Sequence, residues 1–497
     1  MYRVILRRIR ASVLKHWPIA ALLLLFGGTY APSMNSYGML WWDECEYASI
    51  GRSIVDGEGF GFLGNPNPLR PPLLPLAGAA CMLVSGDRFS DSVLKVASWA
   101  FDLLALLCVY GFAAAAFDRT VGIIAAFFLG ISPFFWLFAP RFMCEVPFMA
   151  FFAAAVWFFH FGAYRHERLF VWSWICLALA LMTRYTAVLF LPVLVVSIPV
   201  ALWLGGPAVR RRFRTREFIL SPLAGLVVIL PWFIREWVVF GDPLVGMKQA
   251  AVQVQGYLPG VSMPRLFYLR QLPFMLSPTI ALLFAAGVVW AFWTRERFAL
   301  QAFLTAAVIL AWFSCYRFKD DRLVSSALPF MAVVAAVPLA KLTAGLRSPL
   351  RAATLGVLLA GMFFLDFRAT RPILKHVYTA GYPSFLEAMD FLRIQASPGA
   401  LVMGSNFPQI HWYSGLQATG FPGDEKGLRE SLRHSQWVVI TNFEPGQPSY
   451  AGRLTDYFKK WRPTSATAAL FQDRRWFTAV VRSDILLQAI AGKPLGP

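Results

Sequence analysis

Three carboxylates stand within four residues at Asp43-Glu44-Cys45-Glu46, directly after the aromatic pair Trp41-Trp42 and just past the first apolar stretch of the chain. Carboxylates at the mouth of a membrane helix are expensive to desolvate, so their presence there needs a chemical reason. Indole rings favour the boundary between hydrocarbon and water, which puts the cluster at headgroup level. Asp43 and Glu44 are therefore candidates for a general base, or for a carboxylate that orients an acceptor hydroxyl. Helix capping is the plainer use, since Asp and Glu favour a first turn and residues 46–52 read as helical. Glu145, in Pro140-Arg141-Phe142-Met143-Cys144-Glu145-Val146-Pro147, is the second acidic candidate. It either pairs with Arg141 or joins Asp43 in activating a hydroxyl or holding a divalent ion.

Cations accompany these acids. Arg70 opens the stiff Arg70-Pro71-Pro72-Leu73, Arg184 lies in the turn Met182-Thr183-Arg184-Tyr185, and Lys319 and Arg322 bracket Lys319-Asp320-Asp321-Arg322. Arg70, Arg184, Lys319 and Arg322 suit the phosphate of a lipid, because a planar guanidinium fork binds two oxygens and an ammonium supplies a point charge. Snorkelling and interfacial anchoring are the alternative for such residues. Lys248, Arg265 and Arg270 carry less of the argument, and His160, His376 and His411 fit structural roles better than ligation. Asp102 lies inside an apolar stretch, where the sequence gives it no role beyond a buried hydrogen bond.

The elements that must position these groups are membrane helices. Of 497 residues, 58% are hydrophobic and 15% charged, and the mean hydropathy is +0.56, which marks an integral membrane protein. Apolar runs long enough for the hydrocarbon core recur about eleven times. They cover 18–30, 93–117, 121–138, 146–161, 169–182, 185–204, 218–237, 273–293, 298–315, 323–340 and 352–367. Basic residues concentrate on alternate connections: Arg3, Arg7, Arg8, Arg10 and Lys15, then Arg119, Arg165 and Arg168, the 210–216 cluster, Arg295 and Arg297, and Lys341, Arg347 and Arg351. By the positive-inside rule the N-terminus is cytoplasmic and the segment after the last span is outside. The net charge of +19 is thus a topology signal, and its dispersal over alternate loops excludes a nucleic-acid surface. Six cysteines show no CxxC or Cys/His spacing, so neither thiol redox chemistry nor structural zinc is expected. The first span lacks a small-residue cleavage site, and a cleavable signal peptide is not expected.

The expected fold class is a polytopic α-helical membrane protein, with a small C-terminal α/β domain on the outer face. Residues 1–367 form the membrane domain, including outer loops 31–92 and 238–272, and 368–497 form the extracytoplasmic domain. In the latter, 384–393, 428–434 and 450–461 read as helices, and 400–403, 437–440 and 477–481 as strands. Neither GxGxxG nor a P-loop is present to support nucleotide binding.

The ordered motifs resemble those of the polytopic GT-C-type glycosyltransferases, specifically the protein O-mannosyltransferases and the bacterial aminoarabinose-to-lipid-A transferases. Asp43-Glu44-x-x-Tyr47-Ala48 and Arg70-Pro71-Pro72-Leu73 look like their first outer loop. Arg141…Glu145-x-Pro147, Leu181-Met182-Thr183-Arg184-Tyr185…Pro192, Pro231-Trp232…Phe240-Gly241-Asp242-Pro243 and Lys319…Arg322…Pro329 follow in the expected order. The resemblance covers about the first 340 residues. It implies a polyprenyl-phosphate-linked sugar as donor, inversion at the anomeric carbon, and an acceptor hydroxyl on a lipid, glycan or protein outside the cell's inner membrane. By the same resemblance Asp43 would be the catalytic carboxylate and Arg70 the cation facing the lipid phosphate. Glu145 holds a position where the family more often has aspartate, and Glu46 replaces an arginine of the aminoarabinose branch, which argues against that sugar. No cofactor is required by the sequence; a divalent metal could assist the leaving phosphate, although no ligand set is legible. The rival class is a transporter or flippase of a lipid or lipid-linked sugar, whose ionisable residues would lie near the bilayer midplane. An inactive relative that binds the lipid-linked sugar is a third reading.

Overall fold

The computed structural model describes residues 17–32, 39–256, 262–379, 382–443, 449–461 and 464–490. The basic N-terminal arm from Arg3 to Lys15 lies outside the described residues. Helix α1 (Trp17–Tyr30) is followed by α2 (Trp42–Val55), the hairpin β1 (Gly61–Phe62) and β2 (Asn65–Pro66), and α3 (Leu73–Ser85). Next come α4 (Asp91–Ala116), α5 (Arg119–Ile131), α6 (Pro133–Phe138), α7 (Glu145–Tyr164) and α8 (Leu169–Thr183). A 3-10 turn, Tyr185–Leu189, leads to α9 (Phe190–Arg212), α10 (Arg216–Phe240), α11 (Val245–Gly256), α12 (Phe267–Leu276), α13 (Pro278–Thr294) and α14 (Arg297–Ser314). A second, Asp321–Ala327, leads to α15 (Leu328–Leu342) and α16 (Ser348–Thr379).

The C-terminal region continues with α17 (Pro383–Gln395), β3 (Leu401–Gly404), α18 (Phe407–Ser414), β4 (Gln417–Thr419), α19 (Glu425–His434) and β5 (Trp437–Thr441). It ends with α20 (Ser449–Trp461), β6 (Thr464–Ser465), β7 (Ala468–Gln472), β8 (Phe477–Arg482) and α21 (Ser483–Ile490). Two compact units share the chain. Met1–Met34, Pro68–Leu74 and Lys95–His376 make up one; Asn35–Asn67, Pro75–Leu94 and Val377–Pro497 make up the other.

The first unit is a multi-pass membrane bundle. Among the described residues, 7 helices are long and apolar enough to cross a bilayer, or 8 when α12 and α13 are taken as one span. All eleven apolar segments expected from the sequence are helical, but three are shorter than a span. These are α1, α8 with 15 residues, and the stretch divided into α5 with 13 and α6 with 6. The division falls at Ser132, whose extended backbone precedes Pro133, because the residue before a proline is driven out of the helical region. A sharper break of 117° separates α12 from α13 at Ser277, which sits at φ 85°. There Thr279 Oγ1 donates to Asp366 of α16, 2.7 Å to Oδ1. Helices α7 and α15 occupy the middle of the bundle. Their apolar windows are 89% and 100% buried, whereas that of α16 is 6% buried and leaves its side chains exposed. A helix apolar on every side, as α15 is, belongs in such an interior. Close packing there depends on Gly287 of α13, where a Cβ would lie 2.1 Å from the Val334 carbonyl.

The second unit is α/β. Its sheet runs β4-β3-β5-β8-β7-β6, with β4, β3 and β5 parallel and the remaining neighbours antiparallel. Alternate residues of β5 enter opposite cores. Val438 and Ile440 pack with Leu428, Leu432, Leu454 and Leu486, while Trp437 and Val439 pack with Phe385, Met389, Leu392 and Ile410. Helices on both faces explain why β5 is buried along its whole length. Strands β3, β5 and β8 and helices α17, α19 and α20 appear where the sequence placed them; β4, β6, β7, α18 and α21 are additional. The segment expected as the loop 31–92 holds α2, the hairpin and α3, and most of it belongs to this unit.

Candidate active site

In the membrane unit Glu145 is the first residue of α7 and fully buried. One oxygen, Oε1, takes two arginines: Arg322 Nε at 2.6 Å and Arg184 Nη1 at 3.3 Å. Arg184 Nη1 also donates to the Arg322 main-chain carbonyl at 3.1 Å, so the Arg184 guanidinium is tied to the backbone of Arg322 as well as to the acid. The carboxylate pairs with these two residues across 39 and 177 positions of sequence, in addition to its proximity in sequence to Arg141. A buried carboxylate requires such pairing. Two arginines thus converge on one glutamate. The side chains of Arg184 and Arg322 are 17% and 28% exposed.

Local structure fixes both arginines. Arg184 ends α8 in an extended conformation (φ −157°, ψ 128°), which swings it out of the helix before the 3-10 turn begins. Arg322 follows Asp320, whose carboxylate accepts the Arg322 N–H at 2.9 Å as an N-cap. Tyr268 of α12 donates its hydroxyl to the Asp320 carbonyl at 3.2 Å and accepts the Asp320 N–H at 3.3 Å. Lys319 is 3% exposed, and its ammonium donates to the carbonyls of Tyr316 at 2.6 Å and Met263 at 3.1 Å. Those bonds bind the loop that carries Arg322 to the segment ahead of α12.

Arg70 belongs to the same unit, on the strap Pro68–Leu74. Tyr185, the residue after Arg184, donates its hydroxyl to the Pro68 carbonyl at 2.9 Å and accepts the Trp232 indole N–H at 3.2 Å. Helix α11 comes so near that a Cβ at Gly246 would lie 2.1 Å from the Pro68 oxygen and 2.4 Å from the Tyr185 hydroxyl. Thus Arg70 stands two residues from an anchor that is the chain neighbour of Arg184.

Asp43 and Glu44 are in the second unit, on the first turn of α2. Glu44 is buried, and its Oε2 accepts the Trp41 N–H at 2.8 Å, the capping arrangement that its position at N3 permits. Asp43 is half-buried. Glu46, also buried, accepts the Asn67 amide at 3.0 Å. Among the described residues no group of three or more His, Cys, Asp and Glu side chains converges as a metal cluster would. Tyr185, Trp232, Tyr268 and Asn67 were not singled out as site residues by the sequence, since aromatic residues and amides at a membrane boundary are ordinary.

Residues 69–234 match the family model described as dolichyl-phosphate-mannose-protein mannosyltransferase. The undecaprenyl phosphate-alpha-4-amino-4-deoxy-L-arabinose arabinosyl transferase 2 of Pseudomonas fluorescens is 26% identical over 489 residues, covering 90% of this chain and 75% of its own. The crystal structure of ArnT from Cupriavidus metallidurans bound to undecaprenyl phosphate superposes with a TM-score of 0.66 at 14% identity, covering 94% of this chain and 98% of that one. The oligosaccharyltransferase AglB of Archaeoglobus fulgidus, in complex with an inhibitory peptide and a dolichol-phosphate, gives a TM-score of 0.55 at 12% identity, over 86% and 69% of the two chains. With the ordered acidic and basic motifs carried on this fold, the chain is similar to the protein O-mannosyltransferases over residues 69–234 and to the aminoarabinose transferases over most of its length, and it has the GT-C fold of the solved structures.

Proposed function

We propose that this protein transfers a sugar from a polyprenyl-phosphate-linked donor to an acceptor hydroxyl on the extracytoplasmic face of the inner membrane, with inversion. In this topology the N-terminus is cytoplasmic and the C-terminal α/β domain is extracytoplasmic. The observation that carries the reading is the pair of partly exposed arginines, Arg184 and Arg322, organised by one buried glutamate. A glycosyl phosphate has a leaving group that departs as an anion, and preorganised cations lower the barrier to its departure. Arg70, on the strap anchored beside Arg184, is a third donor for the same phosphate.

Asp43 takes the proton of the acceptor hydroxyl as its oxygen attacks the anomeric carbon. The bond from that carbon to the phosphate oxygen breaks with its electron pair, and polyprenyl phosphate leaves. A single displacement of this kind inverts the centre. Glu145 acts by holding the two arginines, and Glu44 by capping the helix that carries Asp43. Lys319 supports the arginine loop and adds to the field at the phosphate. Arginine side chains neutralise the leaving group in this reading; chelator treatment of the purified enzyme separates that from assistance by a divalent ion. The acceptor is a lipid, glycan or protein hydroxyl.

Mass spectrometry of polyprenyl lipids tests the reading, in cells expressing wild type or Asp43→Asn without a native copy. The mutant should accumulate a sugar-bearing polyprenyl phosphate that wild type consumes. Identical lipid profiles would overturn the assignment and favour transport or passive binding of the lipid.

A further inference from the structure

We infer that Tyr413, His411 and Asp91 are positioning residues of the proposed transfer reaction: through α18, the C-terminal α/β segment sets the place of the helix that carries Asp43. The inference rests on the reading of Asp43 as base and concerns what holds it. All of these residues lie in the second unit.

Helix α18 grips α2 at both ends. At the start, the Leu40 N–H, three residues before Asp43, donates to the Tyr413 hydroxyl at 2.6 Å. That hydroxyl in turn donates to Asp91, whose other oxygen accepts the Trp412 indole N–H at 2.9 Å. Trp42, the residue before Asp43, meets Phe407 edge-on with ring centroids 4.8 Å apart. At the far end, the Arg52 guanidinium lies over the rings of Phe89 and Trp412, at 4.9 and 5.1 Å from their centroids. Its Nη2 reaches His411 Nε2 at 3.1 Å, while His411 Nδ1 lies 2.8 Å from the Leu416 carbonyl. The carbonyl requires a proton on Nδ1, which leaves Nε2 as the acceptor Arg52 needs.

These contacts converge on a short helix whose own sequence gives it little independent stability. A base must stand within a fraction of an ångström of its proton, and a displacement of about 1 Å costs on the order of 10²-fold in rate. The partners flanking Asp43 come from residues 407–413, far along the chain. The arrangement therefore couples chemistry at residue 43 to the seating of α18.

The test uses full-length protein purified in detergent, with the sugar-bearing polyprenyl phosphate fraction from Asp43→Asn cells as donor. Folded protein is counted by size exclusion and thermal unfolding. Tyr413→Phe and His411→Phe should each lower kcat per folded molecule about tenfold, with donor KM within about twofold of wild type. His411→Gln, whose amide can donate to Leu416 and accept from Arg52, should restore most of the rate. Wild-type kcat in both Phe variants would overturn the inference. Where Tyr413→Phe is not recovered folded, the two His411 variants decide alone. Transfer retained by Asp43→Asn would instead overturn the parent reading, and so the two failures are distinguishable.

Discussion

Glu145 answers to two arginines with one oxygen, and its removal should be felt in two ways. Glu145→Gln keeps the shape but removes the charged carboxylate that both guanidinium groups share. Breaking a buried pair by removing one partner costs about 3–5 kcal/mol, so the melting temperature in detergent should fall and transfer should be lost. Arg322→Lys keeps the charge and loses the fork; its donor KM should rise with little loss of folded protein. His411 gives a pH dependence. Burial, with Arg52 beside it, pushes its imidazole down to about 4, against 6.5 when exposed, although the bond to Leu416 works the other way. The unfolded chain then takes up a proton near pH 6.5 that the folded unit refuses until about pH 4. Stability is full above that range and falls as pH drops through it, by up to about 3 kcal/mol. Unfolding followed from pH 7 to 4 should show this loss, and His411→Gln should flatten it. Charged candidates such as Asp43, Glu145, Arg184 and Arg322 stand out in so apolar a chain, and the structure brings three of these together. The hydroxyls that place them, Tyr185 and Tyr268, have no such contrast.

The strap bearing Arg70 depends on an absent side chain in α11. Gly246→Ala would set a methyl against the Pro68 carbonyl and the Tyr185 hydroxyl, displacing the strap or breaking its anchor. Overpacking of this kind costs about 1–3 kcal/mol, and here it should raise donor KM in a steady-state assay more than it lowers thermal stability. At this scale the sequence was an uneven guide. Apolar runs announced every membrane helix, because hydrocarbon demands them. The break at Ser132-Pro133 was written in the proline, yet the 121–138 run reads as continuous by hydropathy. The bend at Ser277 was less visible still, since a φ of 85° on a serine is held by tertiary contact with α16 through Thr279 and Asp366. In the C-terminal unit, long strands buried on both faces were readable, and the two-residue β6 and three-residue β4 were not. Such short strands exist because neighbours offer them an edge.

Across the whole molecule, chain order and spatial order diverge. The second unit draws on Asn35–Asn67, Pro75–Leu94 and Val377–Pro497, with the membrane helices of the other unit intervening. Composition marked a change near residue 368, but pairing between distant segments leaves no local trace in either one. That separation has a consequence for biogenesis. Chains emerge from the ribosome N-terminal end first, at about 5–20 residues per second. Helix α2 is made early, while its partner α18 is made 359 residues or more later, as the Arg52–His411 and Leu40–Tyr413 separations show. For most of translation the acidic helix must wait beside the insertion machinery with its buried face unmatched. If Asp43 is the base, as proposed, a nascent chain has no seated base until synthesis is nearly finished, and a stalled or nicked product should be inert toward the lipid pool around it.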